Sequence, residues 1–181
     1  MNIPDGIGII YGSKFTNNPI KSRVAGYDCV QGVFELIKDT DKTVYFFGGA
    51  PEIAERAKEA MEKKHYGLKV VGVADGYFDA EKEQMIIADI NEKKPDLLLV
   101  GIGFPKQEKW IYENIGKYDA KVSVCAGATV DFLAGNVKRA PRWMSEHGLE
   151  WFYRFTQEPK RMFKRYFVDD TKIVKLIFKY R

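Results

Sequence analysis

Short apolar runs alternate with longer amphipathic stretches throughout residues 1–137, and this alternation limits the fold more than any other feature of the chain. The apolar runs are mostly closed by glycine and rich in β-branched and aromatic residues; they are 7–11, 43–47, 68–73, 97–100 and 122–124. Charged and apolar residues recur at helical spacing in 24–38, 52–64, 81–93 and 106–117. This order predicts an α/β fold, in which helices cover both faces of a mainly parallel, Rossmann-like sheet.

Local signals support these elements. The unbroken run Leu97-Leu98-Leu99-Val100 is typical of a central strand that is buried on both faces. We expect Pro51 to open one helix and Asp79 to cap another.

The charge of the chain is unevenly distributed. Residues 1–137 carry 17 Lys and Arg residues against 20 Asp and Glu residues, whereas residues 138–181 carry 12 against 5 and hold ten of the 25 aromatic residues. We therefore expect an α/β body over 1–137 and a basic, aromatic helical appendage over 138–181. A basic, aromatic surface suits an anionic partner, which is a phosphate group, a nucleic acid or an acidic membrane surface.

The sequence argues against a membrane-spanning protein, a secreted protein and a zinc-binding protein. No stretch approaches the roughly 18 consecutive apolar residues of a membrane-spanning helix, and the first residues show no signal-peptide pattern. Cys29 and Cys125 form no CxxC pair, and His65 and His147 lie far from each other. We therefore expect no structural zinc site, and cysteines that stay reduced in the cytoplasm.

Glycine-rich segments follow three of the predicted strands: Gly48-Gly49, Gly101-Ile102-Gly103 and Ala126-Gly127-Ala128. Ligands bind beyond the carboxyl ends of parallel strands, where glycine allows close approach and helix N-termini favour phosphate. These turns favour a nucleotide-type ligand, although tight turns between strands and helices use glycine in any case. The dinucleotide fingerprint is incomplete, because it needs a third glycine and a following acidic residue.

Two acidic segments stand near predicted strands. Asp5 lies between Pro4 and Gly6 and is either a turn residue or a functional carboxylate. Asp39-Thr40-Asp41 resembles the metal-binding DxD of many sugar transferases, but it precedes its strand and so lies at the opposite end of the sheet from the glycine turns. We interpret it as a solvated turn, and expect no dependence on a metal bound there.

The appendage is predicted to contain two helices. A helix over 143–157 is followed by Pro159, which starts a second helix over 158–179. If the break between them is mild, Arg154, Arg161 and Arg165 share one face. The helices either pack on the body with a solvated basic face, or lie on anionic headgroups with the arginines free to bind a diphosphate.

A series of motifs then occurs in a fixed order over essentially the whole chain. They are Pro4-Asp5-Gly6-Ile7-Gly8, Arg23-Val24-Ala25-Gly26-Tyr27-Asp28, Phe46-Phe47-Gly48-Gly49, Gly103-Phe104-Pro105-Lys106-Gln107-Glu108, Gly127-Ala128-Thr129-Val130-Asp131-Phe132, Lys138-Arg139-Ala140-Pro141-Arg142-Trp143, Leu149-Glu150-Trp151-Phe152-Tyr153-Arg154 and Pro159-Lys160-Arg161. In these motifs the chain resembles the WecB/TagA/CpsF glycosyltransferase family, and within it the TagA-type N-acetylmannosaminyltransferases of wall teichoic acid synthesis.

The resemblance implies an inverting transfer of N-acetylmannosamine from its UDP donor (UDP-ManNAc) to undecaprenyl-diphosphate-linked N-acetylglucosamine (GlcNAc). The corresponding uronic acid is the alternative donor sugar. The reaction implied needs no cofactor and takes place on the cytoplasmic face of the plasma membrane. Residues 1–137 would be the nucleotide-sugar-binding catalytic body, and the appendage would contact the anionic membrane and close over the site.

The resemblance also assigns residues. Asp5 matches the family's catalytic base, and Gln107 matches a pocket residue beside it. Further residues are implied to bind substrate: Arg23, Tyr77, Gly103, Asp131, Arg154, Arg161 and Arg165. Some members have a third arginine in the appendage where this chain has Lys164 followed by Arg165, so the charge is kept but bidentate geometry is reduced.

Members of the family carry a further segment before the Pro-Asp-Gly motif, which here stands at residues 4–6. We therefore expect the sheet to lack the strands that this segment forms in the family. We also expect weak activity, and self-association through the sheet edge that is left exposed. One alternative is a non-catalytic module that binds a nucleotide sugar or an anionic lipid. Others are an NAD-dependent Rossmann enzyme, which the incomplete glycine fingerprint opposes, and a nucleic-acid-binding protein, for which no recognition module is evident.

Overall fold

The computed structural model describes residues 2–17 and 19–164, with Arg142, Glu146, Arg161 and Lys164 described by their backbone alone. The chain divides into two compact units. One is Gly26–Lys138, and the other combines the described residues up to Ala25 with those from Arg139 to Lys164. The predicted division placed residues 1–137 in one body, whereas the first 25 residues group with the C-terminal segment.

The elements of the described residues follow one another in the order α1 (Ile7–Ser13), α2 (Gly26–Ile37), β1 (Thr43–Gly48), α3 (Ile53–Lys64), β2 (Lys69–Ala74), α4 (Ala80–Lys93), β3 (Leu97–Gly101), α5 (Lys106–Asn114), β4 (Val122–Cys125), α6 (Thr129–Leu133), α7 (Arg142–Glu146), α8 (Glu150–Gln157) and α9 (Pro159–Lys164). Four of the five predicted strands are therefore confirmed to within one residue at either end.

The four strands form one parallel sheet in the order β2-β1-β3-β4. β1 is central, since Phe46 pairs with Val73 of β2 on one side and with Leu99 of β3 on the other. Because all strands run the same way, the turns that follow β1, β3 and β4 meet at one edge of the sheet. The predicted grouping of the glycine turns is confirmed.

Side chains of β1 alternate between two buried layers. Val44 and Phe46 pack with α2, α3 and α6, while Tyr45 and Phe47 pack with α4 and α5. All four are at most 1% exposed, and burying a large apolar side chain stabilises a fold by about 1.5–3 kcal/mol. Helices thus cover both faces of a parallel sheet, and the predicted α/β class is confirmed.

Of the two predicted helix starts, one is confirmed. Asp79 Oδ1 accepts a hydrogen bond from the Lys82 amide at 2.9 Å at the start of α4. Pro51 does not open a helix, because α3 begins at Ile53. Glu52 before it has a left-handed φ of 73°, so Pro51 lies in the turn that redirects the chain from β1 into α3.

The first apolar run is a helix, so the prediction of a strand over residues 7–11 is wrong. α1 begins where the Gly6 carbonyl accepts hydrogen bonds from the amides of Ile9 and Ile10. It ends at Ser13, whose Oγ donates to the Ile10 carbonyl at 2.8 Å and accepts from the Ile20 amide at 2.9 Å. A short apolar run fits either period, and here local hydrogen bonds satisfy the backbone.

The predicted helix over 143–157 is divided into α7 and α8. The division falls at Gly148, which has a φ of 71° and whose Cβ position would lie 3.1 Å from Ile7. The second predicted helix begins at Pro159, one residue later than expected, and is described as far as Lys164. The remainder of that prediction, 165–179, lies outside the described residues.

Candidate active site

In the unit formed by the N-terminal and C-terminal segments, the structure brings Asp5 and Arg23 together. Arg23 Nε donates to the Asp5 backbone carbonyl at 2.6 Å, and Nη2 donates to Asp5 Oδ1 at 2.9 Å. The neighbouring Val24 amide donates to the Pro4 carbonyl at 3.0 Å. Both the backbone and the carboxylate of Asp5 are therefore oriented, while its side chain remains 51% exposed. An oriented and accessible carboxylate has the geometry that a general base requires.

Two further residues join this cluster, and the sequence reasoning missed both. Arg23 Nη2 also donates to Glu150 Oε2 at 2.6 Å, and Ser145 Oγ donates to the same oxygen at 3.2 Å. Glu150 stands in one of the motifs that carry the family resemblance. That motif was the available signal, but nothing in it indicates a contact with an arginine 127 positions earlier.

The Arg23 guanidinium is stabilised in its charged form by the two carboxylates of this cluster. Although partial burial alone would lower the pKa of Arg23, its hydrogen bonds with Glu150 and Asp5 raise it above the ordinary value. One guanidinium thus lies between two carboxylates, those of Asp5 and Glu150.

In the Gly26–Lys138 unit, the carboxyl edge of the sheet is packed backbone against backbone. A Cβ on Gly48 would lie 2.4 Å from the Gly101 carbonyl oxygen, and one on Gly101 would lie 2.8 Å from the Gly127 carbonyl oxygen. Glycine at Gly48 and Gly101 is therefore required by neighbouring strands and turns. By contrast, a Cβ on Gly103 or Gly127 would meet no atom within 4 Å, so open backbone faces any ligand that approaches there.

Gln107 connects two turns at the carboxyl edge of the sheet through hydrogen bonds. Its side chain, in α5, is buried; Oε1 accepts from the Gly127 amide at 3.0 Å and Nε2 donates to Glu108 at 2.8 Å. The Gln107 amide donates to the Gly103 carbonyl at 2.9 Å. Gln107 thus joins the turn after β3 to the turn after β4. Its predicted part in catalysis beside Asp5, which lies in the other unit, stays a prediction.

Tyr77 lies in the turn after β2 and is 70% exposed. Its amide donates to Asp75 Oδ1 at 2.9 Å, and Lys82 Nζ donates to Asp75 Oδ2 at 2.6 Å. Although burial alone would raise the pKa of Asp75, the bonds from Lys82 and from the Tyr77 amide hold it below the ordinary value. The ring of Tyr77 is therefore presented to solvent by a well-anchored turn.

A lysine that the sequence reasoning did not select lies at the same edge. Lys106 Nζ stands 3.8 Å from the centre of the Phe78 ring and donates to the Gly76 carbonyl at 3.3 Å. These contacts hold a positive charge beside the start of α5, where backbone amides also favour an anion.

Of the other predicted substrate-binding residues, three lie in helices of the described part of the chain and one lies outside it. Asp131, in the first turn of α6, is half-buried and accepts from Asn136 Nδ2 at 3.3 Å. Arg154 lies in α8, and the backbone of Arg161 lies in α9, whereas Arg165 is outside the described residues. The shared face of the three arginines stays a prediction.

The Asp39-Thr40-Asp41 segment is a solvated turn that precedes β1, at the opposite end of the sheet from the glycine turns, as predicted. Asp41 pairs with Lys69 Nζ at 2.9 Å. Within residues 2–17 and 19–164, no three His, Cys, Asp or Glu side chains are grouped so as to hold a metal ion. In the same part of the chain, every helix is too short or too polar to span a membrane.

Comparison with known proteins agrees with these motifs. The model of the glycosyl transferase WecG/TagA/CpsF family matches residues 1–181. The N-acetylglucosaminyldiphosphoundecaprenol N-acetyl-beta-D-mannosaminyltransferases of Bacillus subtilis (strain 168) and Bacillus spizizenii are 33% and 35% identical to the chain over 159 and 160 residues. The protein of the same name from Staphylococcus aureus (strain MRSA252) is 29% identical over 160 residues.

These alignments cover 88% of this chain and 61–62% of each relative, so the chain spans about three-fifths of the length of the curated relatives it matches. The family match, in contrast, covers the whole chain, and the resemblance seen in the ordered motifs is confirmed. The chain belongs to the glycosyl transferase WecG/TagA/CpsF family.

Proposed function

We propose that the protein is an inverting glycosyltransferase that moves N-acetylmannosamine from UDP-ManNAc to undecaprenyl-diphosphate-linked GlcNAc. One observation carries the proposal: in a chain that matches the family throughout, an exposed carboxylate, Asp5, is held in place by a guanidinium. The names of the relatives state the transferred sugar and the acceptor for those proteins. Wall teichoic acid synthesis is the proposed setting.

In the proposed reaction, Asp5 takes the proton from the acceptor hydroxyl. The hydroxyl oxygen bonds to the anomeric carbon as the bond from that carbon to the UDP oxygen breaks, which inverts the anomeric centre. General-base catalysis of this kind accelerates a reaction by about 10²–10⁴-fold. Arg23 orients the base throughout.

The departing UDP needs positive partners. Open backbone at Gly103 and the Lys106 ammonium offer them at the sheet edge. Three arginines of the C-terminal segment are proposed as further partners of the diphosphate: Arg154, Arg161 and Arg165. Gln107, Tyr77 and Asp131 are proposed to shape the donor site, and no cofactor is required.

The proposed place of work is the inner face of the plasma membrane. Trp143, Trp151 and Phe152 of α7 and α8 are 59%, 41% and 47% exposed, and they stand in a segment with an excess of basic residues. Aromatic rings beside basic residues favour an anionic lipid surface. Flotation with phosphatidylglycerol vesicles, compared with phosphatidylcholine vesicles, tests this binding.

The chain is also proposed to associate with itself through an exposed edge of its sheet. Sedimentation velocity tests this self-association.

The experiment that tests the reaction measures UDP release from UDP-ManNAc, with and without a lipid-diphosphate-linked GlcNAc acceptor. We expect acceptor-dependent release by the wild type and a loss of at least about 100-fold in Asp5→Asn. Asp39→Asn removes an exposed carboxylate at the other end of the sheet and should leave the rate unchanged. Acceptor-independent release, or full activity of Asp5→Asn, would contradict the proposal.

A non-catalytic binding module is the competing function. It predicts that the wild type binds UDP-ManNAc without turnover and that Asp5→Asn binds it equally well. Equilibrium titration of both proteins with UDP-ManNAc, in parallel with the release assay, separates the two functions.

A further inference from the structure

The Arg23 guanidinium is anchored by two carboxylates. It binds the backbone and the carboxylate of Asp5, at 2.6 and 2.9 Å. Nη2, the nitrogen that donates to Asp5 Oδ1, also donates to Glu150 Oε2 at 2.6 Å. The contacts of Nη1 with the carbonyl and hydroxyl oxygens of Ser145 are longer, at 3.4 and 3.5 Å. Apart from its contacts with Asp5, Arg23 is therefore held most closely by Glu150.

The Glu150 carboxylate is itself held in a position to bind Arg23. Its side chain is 17% exposed, and that of Arg23 is 20% exposed. Ser145 Oγ donates to the same carboxylate oxygen at 3.2 Å, and the carboxylate lies in the first turn of α8, where negative charge is favoured. Separating two charged groups that are largely shielded from water is costly, so the pair stays together.

We propose that Glu150 is a positioning residue for the transfer reaction: it fixes the Arg23 guanidinium, which in turn fixes the Asp5 carboxylate. The inference rests on the proposed role of Asp5 as the base. A half-exposed carboxylate held by an arginine that is free on its far side can turn together with that arginine. Anchoring the guanidinium at Glu150 restricts this motion and helps to keep the base aimed at the acceptor hydroxyl.

The kinetic test uses the full chain with Glu150→Gln. Glutamine keeps the length of the side chain and one acceptor oxygen but loses the charge. We expect kcat to fall about tenfold while KM for UDP-ManNAc changes less than about twofold, because the base and not the donor site is disturbed. Glu150→Asp keeps the charge and should recover part of kcat, and Ser145→Ala should lower kcat less than Glu150→Gln does.

A second readout does not depend on activity. Arginine side-chain ¹⁵N NMR should show separate Nη1 and Nη2 resonances for Arg23 in the wild type, because a guanidinium held on two sides rotates slowly. In Glu150→Gln they should merge into one averaged resonance. Glu92→Gln, which removes an exposed carboxylate of α4 in the other unit, should change neither kcat nor these resonances.

The outcomes are distinct. If the wild type transfers no sugar, the proposed function fails and the Arg23 resonances alone decide whether Glu150 positions Arg23. Unchanged resonances or an unchanged kcat in Glu150→Gln overturn the inference, as does an equal loss of kcat in Glu92→Gln. If Glu150→Gln does not fold, the graded effects of Glu150→Asp and Ser145→Ala on kcat at constant KM decide, and their absence overturns it.

Discussion

Replacing Gly48 with alanine tests how the sheet is held together at its carboxyl edge. Gly48 ends β1 and pairs with Gly101 at the end of β3. A Cβ at this position would lie 2.4 Å from the carbonyl oxygen of Gly101, 2.5 Å from its carbonyl carbon and 2.8 Å from its Cα. All three atoms belong to the backbone, so no side-chain rotation can relieve the overlap.

The cost follows from these distances. Ordinary contacts of a Cβ begin at 3.4 Å, so the two strand ends would have to separate by about 1 Å at a point where the sheet is close-packed. Overpacking of this kind costs about 1–3 kcal/mol. The φ of 150° at Gly48 adds about 1–2 kcal/mol for any residue with a side chain. We expect Gly48→Ala to lower the free energy of unfolding by about 2–5 kcal/mol, against a typical total of about 5–15 kcal/mol.

Urea unfolding, followed by tryptophan fluorescence, measures this change. Gly116→Ala is the matched control, because Gly116 also has a positive φ, 86°, but has no atom within 4 Å of its Cβ position. It should cost about 1–2 kcal/mol through backbone strain alone. The difference between the two variants isolates the clash between the strand ends. If both lower the free energy of unfolding equally, to within about 0.5 kcal/mol, the argument from close packing is refuted.

Three further changes probe other features. Gly32→Ala, in α2 with no atom within 4 Å of the new Cβ, should raise the free energy of unfolding by about 0.5–1 kcal/mol; a lower Tm would contradict this. Gln107→Leu leaves the Gly127 amide without its acceptor and should lower the free energy of unfolding by about 1–3 kcal/mol, seen as a lower urea midpoint. Lys121 and the Thr43 amide hold the pKa of Asp96 far below its ordinary value, so the native state gains stability that is present at neutral pH and lost as the pH falls. Asp96→Asn should therefore lower Tm at neutral pH, and its difference from the wild type should shrink below about pH 4; a difference that does not depend on pH would exclude this linkage.

Much of the sheet could be predicted from the sequence alone. The run from Leu97 to Val100 indicates a strand buried on both faces, and all four of its side chains are buried. Asp79 indicates a helix start three residues before the amide that it caps. These signals work because residues close in sequence decide them: side-chain periodicity and capping act over one or two turns.

The candidate site could be predicted only in part. Asp5 and Arg23 were both selected from the resemblance, and the structure shows that they are bonded. Glu150 was not selected as a site residue, although it stands in a quoted motif, because a carboxylate at the start of a helix is equally typical of a solvated helix end. Its contact with Arg23 joins residues 127 positions apart.

The sequence by itself determined the fold class, four strands, both ends of α2, α3 and α4 to within two residues, and the edge at which the glycine turns meet. Only the tertiary structure decided that the first apolar run becomes α1, that Gly48 and Gly101 touch backbone to backbone, and that Arg23 lies between two carboxylates. The physical reason is the separation in sequence of the residues that decide each feature. Periodicity and caps are properties of neighbouring residues, whereas strand separation and ion-pair partners depend on where distant segments come to rest once the core has formed.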